Sequence, residues 1–201
     1  MPDKEKNLLR ARQTACALAI LIALGGVSHA QKTETHPSSR STAACKFEDG
    51  GSVHIDYSSI PAKGRKIFGS LVPYGKIWRT GGSQATTLAS DTDLSIGGEN
   101  IPAGSYTLFT IPQTEKWTLI ISKKADEAEG SYPEGKDLAR VDMRVSKTPA
   151  LVENLTIDYD RKADSCVLRI TWENTEASVK IAKKKLCWPT TSPLTYQCPD
   201  P

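Results

Sequence analysis

Residues 139–181 read ARVDMRVSKTPALVENLTIDYDRKADSCVLRITWENTEASVKI, and the class of fold is decided there. Ala139, Val141, Met143 and Val145 alternate with Arg140, Asp142 and Arg144. Leu155, Ile157 and Tyr159 repeat the pattern, as do Cys166, Leu168, Ile170 and Trp172, and then Ala177, Val179 and Ile181. Successive side chains of a strand point to opposite faces, so a period of two marks a strand with one buried face.

Upstream further strands are read from their turn signals. Residues 106–111 and 117–122 read as the arms of a hairpin, the first ended by Pro112. Residues 85–89 and 94–96 read as short strands separated by Asp91-Thr92-Asp93, with turns at Gly97-Gly98-Glu99-Asn100 and Pro102-Ala103-Gly104. Val53, Ile55 and Tyr57 alternate with Ser52, His54 and Asp56, and Ser58-Ser59-Ile60-Pro61 stops that run. Many short strands at about 8–12-residue spacing, with turn signals between them, predict an all-β, antiparallel β-sandwich, with a jelly-roll-like or barrel-like closure as alternatives. Residues 123–136, charged and containing Gly130, Pro133 and Gly135, read as the longest internal loop.

The ends differ from this body. Lys4, Lys6, Arg10 and Arg12 precede a charge-free apolar run at 15–24, and Ser28-His29-Ala30 offers the small residues of a signal-peptidase site. Residues 1–30 are therefore expected to be a signal peptide, cleaved between Ala30 and Gln31, leaving a periplasmic or secreted protein. A retained signal anchor is the alternative, although the run is shorter than the about 20 residues that span a bilayer. No integral membrane segment is expected after cleavage. Residues 31–44, rich in Thr, Ser, His and Pro, read as a flexible leader, 45–182 as the β-domain and 183–201 as a Pro- and Cys-rich tail.

Removing residues 1–30 takes away four cations and two anions, so the formal charge falls from +3 to +1. A nearly neutral chain gives no support for nucleic acid or an anionic membrane as partner. Of five cysteines, Cys16 leaves with the signal, and Cys45, Cys166, Cys187 and Cys198 remain. An even number in an exported chain favours disulfides over metal ligation. Three connectivities are open by counting; 45–166 with 187–198 is preferred, because Cys45 and Cys166 each border a strand while Cys187 and Cys198 share the tail.

Between the first strands lies GRKIFGSLVPYGKIWRTGGSQATTL, residues 64–88. Continued by SIGGENIPAGSYTLFTIP, WTLIISKK, DLARVDMRVSK, ALVENLTI and LRITWENTEASV, it resembles the bacterial family called domain of unknown function 2911, from about Cys45 to Ile181. The resemblance implies an exported, β-rich domain and brings no activity with it. The family commonly has an acidic residue after WRTG where this chain has Gln84, and the cysteine-bearing tail lies outside the family pattern.

An inventory of chemistry is short. Without its leader's His36 the body has only His54, and no G-x-S-x-G elbow is present, which argues against a Ser-His-Asp hydrolase. Asp91-Thr92-Asp93 begins like a calcium loop, but Ile96 and Pro102 stand where Gly and Glu are needed. Asp158, Asp160 and Asp164 read as solvated turn carboxylates. No metal site and no cofactor is expected. Trp117 and Trp172 alternate with polar neighbours and read as core.

The strongest constellation is cationic and aromatic: Arg65, Lys66, Tyr74, Lys76, Trp78 and Arg79, with Gln84 beside them. Flat rings and a guanidinium fork suit a carboxylate or a sugar. The same residues suit a structural clasp, in which Arg79 pairs with Glu173 or Glu99. The favoured reading is a non-enzymatic binding or envelope-associated module whose partner is a small molecule, a glycan or an envelope protein. The rivals are a small extracytoplasmic hydrolase or lyase using Glu173, Arg79 and Lys66, and a structural part of a larger envelope assembly.

Overall fold

Period-two alternation becomes strand wherever the chain carries it. The computed structural model describes residues 39–123, 132–184, 188–189 and 196–197, all within the unit His36–Pro201. Nine strands build the main sheet: β1 (Ser39–Lys46), β2 (Ser52–Ser59), β3 (Thr86–Ser90), β4 (Leu94–Ile96), β5 (Glu99–Ile101), β6 (Gly104–Ile111), β7 (Lys116–Lys123), β8 (Asp137–Arg161) and β9 (Ser165–Lys183). β10 (Trp188–Pro189) and β11 (Tyr196–Gln197) pair separately. Among the described residues there is no helix, and so none long and apolar enough to cross a membrane.

The fold is all-β and antiparallel, in the order β1-β2-β3-β6-β7-β8-β9-β4-β5, and the sheet is not closed. The layers expected of a sandwich come from this one sheet curling over itself. β8 makes the curl: its first part pairs with β7 as far as Arg144, and from Arg144 onward it pairs with β9. Register shifts between Lys147 and Val152 and between Val152 and Thr156 bend it, since an extra residue on one strand adds local twist. Pro149 sits in that bulge, where the ladder does not need its missing N–H. The chain after β2 then meets the middle of β8, with Pro61 bridged to Asn154 and the Ala62 amide donating to the Glu153 carbonyl at 2.7 Å.

Alternating side chains fill the enclosed space. β2 buries Val53, Ile55 and Tyr57 and leaves His54 exposed, as its sequence predicts. Trp117 and Trp172 are fully buried, also as predicted. The Cys45–Cys166 disulfide ties β1, at one edge, to β9 across a sequence separation of 121 residues. Cys187 and Cys198 lie outside the described residues.

Two expectations need correction. Residues 39–44 are not part of a flexible leader: they form β1, in register with β2 from Ser39 opposite Ser59 to Lys46 opposite Ser52. Their polar composition suits an edge strand, most of whose side chains are wet. The runs at 139–145 and 155–159 are one strand, as are those at 166–172 and 177–181, because bulges carry the chain through apparent turns. Of the predicted loop at 123–136, residues 124–131 lie outside the described residues, while Lys123 donates its amide to the Lys136 carbonyl at 3.0 Å.

Candidate functional site

The long connection from β2 to β3, residues 60–85, holds most of the residues singled out by sequence. Its root is sewn to β8 by main-chain bonds, including Leu155 N–H to the Ile60 carbonyl at 2.9 Å. Arg65 turns back on that root: Nε donates to the Ala62 carbonyl at 2.9 Å and Nη2 to the Pro61 carbonyl at 2.8 Å. Its guanidinium is thus a cap for main-chain oxygens.

The middle of the loop enters the core. Phe68 is buried edge-on against Trp117, with ring centroids 4.8 Å apart, and against Trp172 at 6.3 Å. Trp78 lies half-buried over the pair, near-parallel to Trp172 at 6.1 Å and edge-on to Trp117 at 6.3 Å. Such pairs add about 0.5–1.5 kcal/mol each beyond burial of area. Trp78 also exchanges both main-chain bonds with Thr110 of β6, each 2.8 Å long. The Trp172 indole N–H donates to the Glu153 carbonyl at 3.2 Å, whereas the buried Trp117 N–H has no partner.

The turns between these anchors are tight. Gly69 has φ +81°, and a Cβ there would lie 2.8 Å from the Tyr74 ring, so no other residue fits without displacing that ring. Thr80 takes φ +59° while fully buried, its hydroxyl 3.1 Å from that of Thr110 and its carbonyl accepting from Thr86 Oγ1 at 3.0 Å. Glu173 also takes a positive φ, +53°. Its Oε2 accepts the Phe68 amide at 3.4 Å and its carbonyl accepts the Thr148 hydroxyl at 3.2 Å.

The predicted residues therefore separate into groups. Arg79 donates to the Ser83 carbonyl at 3.1 Å, and the expected ion pair with Glu173 or Glu99 is not formed. A clasp exists, but Phe68 and Trp78 make it. Gln84 stands at the foot of β3, accepting from Arg40 and lining a shallow depression with Arg40, Ala85 and Thr87. Lys66, Tyr74 and Lys76 are exposed on the tip of the loop. Glu173, Arg79 and Lys66 make no described contact with one another.

Elsewhere the acids serve structure. Asp91 accepts from the Ser52 amide at 2.6 Å and the Ser52 hydroxyl at 2.9 Å, bonds that hold its carboxyl below the usual carboxylate range. Asp158 takes a two-point contact from Arg169, and Asp160 pairs with Lys162. Among the described residues no cluster of three His, Cys, Asp or Glu could hold a metal ion.

Sequence reading missed two residues of the tip. Leu71 is 47 % exposed and Ile77 40 %, beside Tyr74 at 43 %. A signal for them was present. Between Asp56 and Asp91 the chain has five cations, Lys63, Arg65, Lys66, Lys76 and Arg79, and no acid.

These features define the class: an all-β domain whose longest described connection is pinned by an aromatic cluster and displays cations and apolar side chains at its tip. The family model described as a protein of unknown function, DUF2911, matches residues 38–181, and the chain belongs to that family. No curated protein and no solved structure is significantly similar to it.

Proposed function

We propose that the protein is an exported, non-enzymatic binding module of the cell envelope, with the tip of loop 60–85 as its recognition surface. The observation that carries this reading is the exposure of Leu71, Tyr74 and Ile77 on a loop whose middle is anchored by buried Phe68 and half-buried Trp78. A preorganised display loses little entropy on binding. Export is supported by the N-terminal signal pattern and by the Cys45–Cys166 disulfide, which suits an oxidising compartment.

The strained backbone at Glu173 favours a second reading, a small hydrolase or lyase using Glu173, Arg79 and Lys66, because strain gathers at catalytic sites. The Phe68 amide on that carboxylate supplies a structural reason for the strain instead. A thermal-shift screen against glycans, peptides, small acids and metals tests the binding reading. A true ligand raises the melting temperature of the wild type, and Tyr74→Ala and Ile77→Ala abolish the rise without lowering the unliganded value. A ligand whose stabilisation survives both substitutions places the recognition surface elsewhere.

A further inference from the structure

We propose that the tip of loop 60–85 docks the protein on an anionic phospholipid surface; this deepens the binding reading above and rests on it. The argument begins with charge. The chain from Gln31 carries a formal charge of only +1, yet residues 57–90 hold five cations and no acid. Neutrality overall thus conceals a concentrated positive segment. Six cations outside the loop are ion-paired: Arg40 with Asp56, Lys116 with Asp142, Arg140 with Asp137, Lys162 with Asp160, Arg169 with Asp158 and Lys183 with Asp49. Lys66 and Lys76 have no ion pair among the described residues. The two carboxylates beside the loop, Glu153 and Glu173, each give an oxygen to a main-chain amide, those of Lys63 and Phe68.

Shape selects the partner. Leu71, Tyr74 and Ile77 are exposed in the same short segment as exposed Lys66 and Lys76. The surface depressions lined by Arg40 and Gln84, by Lys123 and Asp137, and by Arg144 and Lys180, concave seats of the kind small ligands use, lie outside residues 66–77. Three half-exposed side chains also fall well short of the roughly 800 Å2 per partner buried in a stable protein interface. A lipid interface asks for neither. Leu and Ile enter the acyl boundary, Tyr rests at headgroup depth, and lysines reach phosphates with their stems along the apolar surface.

The test is sedimentation of the protein, purified from cells with its N-terminus read by intact mass, with vesicles mixing phosphatidylglycerol and phosphatidylcholine, and with phosphatidylcholine alone. Binding is expected only to the anionic vesicles at about 0.1 M salt, and is expected to weaken sharply at about 1 M. Each lysine removed costs about fivefold, so Lys66→Gln with Lys76→Gln lowers affinity about 25-fold. Leu71→Ser with Ile77→Ser reduces binding even at low salt, while Lys46→Gln with Lys180→Gln, exposed cations outside the loop, leaves it unchanged. Circular-dichroism melts confirm that all variants fold. Failure of the wild type to sediment with anionic vesicles overturns the lipid proposal; if a soluble ligand requiring Tyr74 is found in the same protein, the binding reading stands without it. Sedimentation unaffected by both loop variants overturns the proposal and the loop's recognition role together.

Discussion

At the scale of the residue, the positions that matter most are those whose polar atoms have or lack partners. Arg65 and Arg79 spend guanidinium N–H groups on main-chain carbonyls, so part of the cationic signature of the loop is structural. Nothing in the order of residues separates such an arginine from a free one, because its partner is chosen by the path of the chain. Tyr159 shows the opposite case. Its hydroxyl is buried without a hydrogen-bond partner, and burial pushes its ionisation well above the usual phenol range. An unsatisfied buried polar group costs about 1–3 kcal/mol, so Tyr159→Phe should stabilise by about 1 kcal/mol and raise the melting temperature by about 2–4 °C. Calorimetry of the two proteins checks this, and a fall of similar size would show the hydroxyl to be stabilising.

At the scale of the element, the tightest constraint is the turn joining β4 to β5. Gly97 has φ +56°, donates its amide to the Lys180 carbonyl at 2.9 Å, and would place a Cβ only 2.2 Å from Val141 Cγ1. Gly98 has φ +98° but open space around it. Gly97→Ala combines a left-handed backbone with overpacking and should cost about 2–4 kcal/mol, whereas Gly98→Ala should cost only the backbone share, about 1 kcal/mol. Urea titrations of the pair test it; equal losses would remove the steric part of the argument. Alternation made the existence and facing of β2, β8 and β9 legible in advance, and Pro112 marked the hairpin of β6 and β7, whose side chains are buried in consecutive runs. It did not show that β8 and β9 run on through their bulges, because Pro149 and the Glu173-Asn174 pair look like turns until strand pairing resumes on either side of them.

At the scale of the whole molecule, the disulfide does what the core alone does not: it joins the edge strand β1 to β9, two strands far apart in the sheet order. Closing so long a loop stabilises by about 2–5 kcal/mol, so replacing Cys45 and Cys166 by Ser should lower the unfolding free energy by that amount. A second bond is expected between Cys187 and Cys198. Intact mass before and after thiol alkylation of the protein lacking residues 1–30 should reveal no free thiol. Two free thiols would refute the second bond, and four would refute both.

What the sequence determined by itself is local: strand from period-two alternation, turns from Gly, Pro and Asp, and the membership of Trp117 and Trp172 in the core. These follow from steric and solvation rules acting within a few residues. The tertiary structure alone decided that one curled sheet does the work of two layers, that Phe68 and Trp78 rather than Arg79 make the clasp, and that Leu71 and Ile77 stay in water. The reason is that a side chain's partner is set by which distant strand folds against it, and burial of an apolar residue depends on that neighbour being there.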